Sequence, residues 1–125
     1  MKVLAMLVCV AAMTMFTACS KSNEELIIGK WKTVSTGTNG TLNQLPDNQS
    51  IVWEFFEDGA LKVTMSINEV EMPLEGTYTV DGDNLTYSVT QDEVMHCTIT
   101  KLDKKEMSIE QVRGENTLVT NLERM

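Results

Sequence analysis

The stretch LKVTMSIN, residues 61–68, alternates apolar and polar side chains without interruption. Leu61, Val63, Met65 and Ile67 share one face of an extended chain, and the residues between them share the other. A period of two is typical of a strand that buries one face and leaves the other in water. This stretch therefore predicts a β-strand whose apolar face belongs to a core.

The same alternation recurs along the chain, and clusters of turn residues separate the alternating stretches. We predict eight strands, at about residues 27–35, 51–57, 60–68, 74–80, 84–90, 93–101, 106–112 and 117–124. Asp58-Gly59 and Asp81-Gly82 stand between stretches, where they favour hairpins. Successive hairpins form an antiparallel up-and-down meander, which removes its open edges by closing into a barrel. We find no helix of ten or more residues.

The segment at residues 1–19 reads MKVLAMLVCVAAMTMFTAC. One cation, a mostly apolar run and two small residues are the layout of a secretory signal, and the run is too short to span a bilayer. Its last four residues, Phe16-Thr17-Ala18-Cys19, resemble a bacterial lipobox. That resemblance implies cleavage before Cys19, a diacylglycerol on its thiol and usually an acyl chain such as palmitate on its amine. The alternative is an ordinary secreted protein with a chance cysteine.

We therefore divide the chain into a lipoprotein signal peptide (1–18), a polar lipidated tether (19–25) and a β-barrel domain (26–125). Several acyl chains anchor a protein firmly, whereas one alone does so marginally. The residue after Cys19 is Ser20 and not Asp, which implies an outer-membrane lipoprotein of the cell envelope, on the periplasmic face or the cell surface.

Charge and cysteine content exclude several functions. Beyond residue 18 the chain has 9 Lys and Arg residues against 18 Asp and Glu, which argues against nucleic acid or an anionic membrane surface as a partner. Cys97 is then the only cysteine besides Cys19, so we expect no intramolecular disulfide. His96 and Cys97 are strand neighbours that point to opposite faces, which opposes a Cys–His nucleophile. We expect no metal site, no cofactor and no enzymatic activity.

Several ordered motifs resemble the short lipocalin-like domains of Gram-negative lipoproteins. Gly29-Lys30-Trp31 opens the first strand, WEFFEDG follows at 53–59, GTYTV at 76–80, and Leu122-Glu123-Arg124 ends the chain but for one residue. The resemblance implies a small eight-stranded barrel, with Arg124 of the last strand packed over Trp31 of the first. It also implies that the long polar connection at residues 36–50 covers one end of the barrel as a mobile lid.

Two functions fit this sequence. The first is a small apolar ligand held in the barrel. The side chains that would line its cavity are Trp53, Phe55, Met65, Tyr78, Tyr87 and Met95. The second is a filled barrel that docks an envelope protein partner through its surface loops, as an inhibitor or accessory subunit. An open apolar cavity would favour the first function, and a filled interior with an exposed apolar patch would favour the second.

Overall fold

The computed structural model of the protein describes residues 21–90 and 92–125, and nearly all of them belong to one antiparallel sheet. A short helix, α1 (Asn23–Leu26), precedes nine strands: β1 (Gly29–Thr38), β2 (Thr41–Gln44), β3 (Gln49–Phe55), β4 (Ala60–Ile67), β5 (Val70–Asp81), β6 (Asn84–Thr90), β7 (Glu93–Leu102), β8 (Glu106–Arg113) and β9 (Asn116–Arg124). Within the described part of the chain, no helix is long and apolar enough to cross a membrane.

The sheet closes on itself because β1 pairs with β9 as well as with β2 and β3. Each strand from β3 to β9 is antiparallel to its neighbour in sequence. Eight strands, β1 and β3 to β9, therefore form a closed up-and-down barrel, and β2 is an additional short strand. The predicted all-β fold of eight strands is confirmed.

Residues 36–50 differ from the expected loop. β1 continues to Thr38, turns at Asn39-Gly40 and returns as β2, so most of the segment is a hairpin. Both turn residues have positive φ angles, of 54° and 88°, as a tight hairpin turn requires. The side chain of Asn39 exchanges hydrogen bonds with Asn116 and Thr117 at the start of β9, so the segment is a hairpin attached to the last strand and not the irregular loop that was expected. A lid role for this hairpin stays a prediction. All four β2 residues are exposed, so the sequence there carries no apolar alternation.

The barrel has two different ends. At the closed end lie α1 and the turns at residues 56–59, 82–83 and 103–105. At the opposite end, which we call the mouth, lie the turns at 39–40, 45–48, 68–69 and 114–115. The largest fully buried side chains all lie in the closed half: Trp31, Phe55, Ile27, Leu61, Leu85, Met107 and Leu122. Ile27, directly after α1, is fully buried in the core at the closed end.

The last three residues of the expected tether, 23–25, lie against the barrel domain. Asn23, Glu24 and Glu25 belong to α1, which is attached to the β5–β6 turn. The Asn23 side-chain amide donates to the Gly82 carbonyl over 2.8 Å, and Glu24 accepts a hydrogen bond from the Gly82 amide. These residues look like solvated tether in sequence because their partners lie almost sixty residues away. Residues 19 and 20 lie outside the described residues.

Candidate functional site

The inner face of β4 changes from buried to exposed along its length. Leu61 and Val63 are 1% and 5% exposed, whereas Ile67, on the same face, is 41% exposed. On β5 the inward positions Met72 and Val70, paired with Met65 and Ile67, are 44% and 64% exposed. Apolar side chains on the inner face of a closed sheet reach solvent only where the barrel is open. The barrel is therefore packed in its closed half and open to solvent at the mouth, and we call this open half the cup.

An aromatic pair spans the barrel between the packed half and the cup. The ring of Trp53 on β3 meets the ring of Tyr87 on β6 edge to face, with centroids 5.3 Å apart. The indole N–H of Trp53 donates to the Thr33 hydroxyl, which is itself buried, over 3.0 Å. This bond holds the indole in place, because a buried N–H left unpaired would be costly. Trp53, Thr33 and Tyr87 thus form the floor of the cup.

Tyr87 offers the cup a polar group. Burial, together with the nearby Cys97 thiol, raises the pKa of its hydroxyl to about 12, so the group stays protonated and able to donate. Among the described residues its hydroxyl has no hydrogen-bond partner, whereas the hydroxyl of Tyr78 donates to the Phe56 carbonyl over 2.6 Å. Met65 and Met95 are half-buried above the floor, since Met95 pairs with Tyr87 and Met65 lies on the inner face of β4.

The wall of the cup is partly open between β7 and β8. These strands pair from Thr98 and Glu110 down to Leu102 and Met107. Nearer the mouth, side chains bridge the described parts of the two strands. Gln111 and Arg113 both donate to the sulfur of Met95, over 3.1 and 3.3 Å, and the Arg113 guanidinium lies 3.8 Å from a carboxylate oxygen of Glu93. A depression of about 400 Å³ lies over this junction.

The six side chains proposed to line a cavity fall into two groups. Met65 and Met95 lie around the cup, with Trp53 and Tyr87 in its floor. Phe55 and Tyr78 lie in the packed half, with ring centroids 5.0 Å apart and nearly perpendicular. Thr33 and Gln111 were not among the predicted site residues. The sequence does not show that these polar side chains point inward. A bulge, such as the one between Thr33 and Ser35, shifts the alternation, so inward and outward positions near it cannot be told apart by counting.

The two residues proposed to close the barrel lie together at the closed end. Trp31 and Arg124 are paired across the β1–β9 seam, and the Arg124 Cζ is 4.3 Å from the centroid of the indole. Arg124 also donates to the carbonyls of Leu26, Ile28 and Lys104. The indole N–H of Trp31 donates to the Ile27 carbonyl over 2.8 Å. One guanidinium thus joins the first strand, the last strand, the β7–β8 turn and the segment around α1.

His96 and Cys97 are not placed to act together as a base and a nucleophile. His96 is exposed and Cys97 is buried, so the two point to opposite faces as expected. Burial raises the pKa of the Cys97 thiol to about 11, which keeps it out of its nucleophilic thiolate form at neutral pH. Across residues 21–90 and 92–125, no three His, Cys, Asp or Glu side chains are grouped so as to hold a metal ion. Cys19, the proposed lipid attachment site, lies outside those residues.

The architecture defines the class of protein: an eight-stranded up-and-down barrel that is packed at one end and open at the other, as in lipocalins. The sequence matches the lipocalin-like domain family over residues 27–109. The chain therefore belongs to the lipocalin-like domain family, and the resemblance inferred from the motifs is confirmed. No curated protein matches the sequence.

Solved structures of low sequence identity share this fold. A lipocalin-like protein from Bacteroides uniformis superposes with a TM-score of 0.62 at 11% identity, over 79% of this chain and 98% of the other. An uncharacterized protein from Bacteroides eggerthii gives 0.61 at 12% identity, over 78% and 98%. The bovine lipocalin allergen Bos d 2 gives 0.50 at 11% identity, over 82% and 75%. At such identities the likeness concerns the fold.

Proposed function

We propose that the protein is a membrane-anchored lipocalin-like lipoprotein of the outer membrane, which binds a small apolar ligand in its cup and is not an enzyme. The observation that supports ligand binding is the change in burial along the inner face of β4 and β5, from Leu61 to Val70. When a ligand covers apolar surface that was exposed to water, the free energy of binding becomes more favourable by about 25 cal/mol per Å². The lipid anchor rests on the sequence at Phe16–Cys19.

The cup also indicates which part of a ligand would go where. Its floor is aromatic and carries the Tyr87 hydroxyl, which has no hydrogen-bond partner among the described residues, whereas β4 and β5 expose the apolar side chains of Ile67, Val70 and Met72 at the mouth. A ligand with a flat or polar end and an apolar body would place that end on the floor. The methionines adapt to irregular shapes because their side chains are unbranched and polarizable.

A fluorescent apolar probe, N-phenyl-1-naphthylamine, tests the cup. We expect it to bind the full chain, and we expect the double variant Ile67→Asn, Met72→Asn to weaken binding by about tenfold or more, since each lost apolar contact is worth about 1–2 kcal/mol. The matched control is Val94→Asn, Val112→Asn, which changes two apolar residues exposed on the outer face near the mouth. Failure of the probe to bind, or equal binding by both variants, would contradict the ligand proposal.

One specific observation favours the second function, the docking of an envelope protein partner. Val94 and Val112 are exposed and both line the depression over the β7–β8 junction, where an envelope protein partner would find apolar contacts. If the barrel acts as an interaction or inhibitor protein, the Val94, Val112 variant loses the partner and the Ile67, Met72 variant keeps it. The same two variants therefore separate the two functions.

A further inference from the structure

The chain enters the barrel at a fixed point on the closed end. α1 is attached to the β5–β6 turn through Asn23 and Glu24, and the carbonyls of Leu26 and Ile28 accept hydrogen bonds from Arg124. Hydrogen bonding of its carboxylate to the backbone amides of Glu24 and Gly82 lowers the pKa of Glu24, so this attachment is present at neutral pH. The position of Asn23 relative to the barrel is therefore set by the folded domain.

Covalent reach then limits how far this end can lie from an anchor at Cys19. Asn23 is four positions after Cys19, and a fully extended chain spans at most about 3.6 Å per position, or about 14 Å in all. The eight-residue strand β4 is about 26 Å long at about 3.3 Å per residue, and the tilt of barrel strands reduces its height to about 20 Å. The mouth lies a full barrel height beyond the point of attachment.

Basic side chains are concentrated in the closed half of the barrel, the half that is nearer to Cys19. Of the nine Lys and Arg residues in the described part of the chain, Arg113 alone lies in the half of the barrel at the mouth. Lys104 and Lys105 form the turn at the closed end. Acidic residues occur at both ends, and at the mouth they include Asp47, Glu69, Asp92 and Glu115. Lipid phosphates therefore repel the mouth more strongly than the closed end.

We infer that the closed end of the barrel faces the lipid surface and that the mouth faces away from it, so that ligand enters and leaves from the aqueous side. This orientation rests on the proposed lipid anchor at Cys19. The attachment of α1, the short reach of the tether and the position of the lysines each favour it.

Energy transfer from the protein to the membrane surface tests the orientation. The full chain is produced in a Gram-negative host, and the mature protein is reconstituted into phosphatidylethanolamine–phosphatidylglycerol vesicles that contain a headgroup-labelled acceptor. Single donors are attached at Lys104→Cys in the closed-end turn or at Glu115→Cys in a mouth turn, both exposed. Buried Cys97 is spared by the maleimide label. We expect transfer from position 104 to exceed that from 115 by about twofold or more, given the barrel height of about 20 Å.

The outcomes separate the orientation from the anchor. The mass of the mature protein shows whether Cys19 is acylated; an unacylated chain overturns both proposals. An acylated chain with equal transfer from the two positions, or with greater transfer from 115, overturns the orientation alone. A second pair, Glu57→Cys at the closed end and Glu69→Cys at the mouth, repeats the comparison if either first variant folds poorly in circular dichroism.

Discussion

The guanidinium of Arg124 covers the indole of Trp31 at 4.3 Å, and the two residues are register partners across the seam where the barrel closes. They are separated by almost the whole barrel domain in sequence. The same guanidinium donates hydrogen bonds to the carbonyls of Leu26, Ile28 and Lys104, so it connects the segment around α1 with the β7–β8 turn.

Arg124→Ala should therefore destabilise the domain by about 2–4 kcal/mol, because it removes a shielded cation–π contact and leaves carbonyls without their donor. Arg113→Ala is the matched control and should change stability by less than about 1 kcal/mol, since Arg113 is half exposed and makes only one long ion pair and one hydrogen bond to the weak acceptor sulfur of Met95 among the described residues. Urea unfolding followed by circular dichroism measures both. Equal effects of the two substitutions would show that Arg124 does not lock the seam.

The position of Gly29 requires a residue without a side chain. Its φ is 130°, and a Cβ there would lie 2.5 Å from Nη1 of Arg124. Gly29→Ala should therefore displace the guanidinium and lower stability by more than the strain of the backbone alone. Gly40→Ala is the control, since Gly40 also has a positive φ, of 88°, but open space around it. We expect Gly29→Ala to lower the melting temperature more than Gly40→Ala, and the reverse order would contradict the close packing of Arg124.

Alkaline pH should destabilise the protein through Cys97. An unfolded chain releases the thiol proton near the ordinary pKa of 9.0, whereas the folded chain holds it until about 11. The unfolded state therefore binds fewer protons between these values, and the free energy of unfolding falls by roughly 1.4 kcal/mol per pH unit at most. Tyr87, whose pKa burial raises to about 12, extends the loss above pH 10.

Cys97→Ala is the matched variant for this effect. Unfolding midpoints measured from pH 8 to 10.5 should fall less steeply in Cys97→Ala than in the unmodified protein. Parallel curves would mean that the thiol titrates alike in both states.

The lipid anchor is tested at the cysteines of the N-terminal segment. Cys19→Ser should abolish metabolic labelling with palmitate and block maturation, because the thiol that accepts diacylglycerol is gone. Cys9→Ser, ten residues earlier in the same segment, should leave labelling intact. Labelling that persists in Cys19→Ser would refute the lipobox interpretation.

Several features of the fold follow from local sequence. The alternation at 61–68 assigns the inner and outer faces of β4 correctly, and Asp58-Gly59 and Asp81-Gly82 mark two of the hairpins. The hairpin at 36–44 was missed because β2 buries no side chain and so leaves no periodic signal. The attachment of α1 was missed because its partner, Gly82, is remote in sequence.

The sequence by itself determined the eight barrel strands, two of their hairpin turns and the apolar face of strands such as β4, because these properties depend on neighbours within a few positions. Only the tertiary structure decided that Leu61 is packed while Ile67, six residues along the same face, stands open at the mouth. It also decided that Arg124 meets the carbonyl of Leu26, 98 residues away. Both depend on how eight strands close around a common interior, where burial is set by distance from the open mouth and not by the residue's own chemistry.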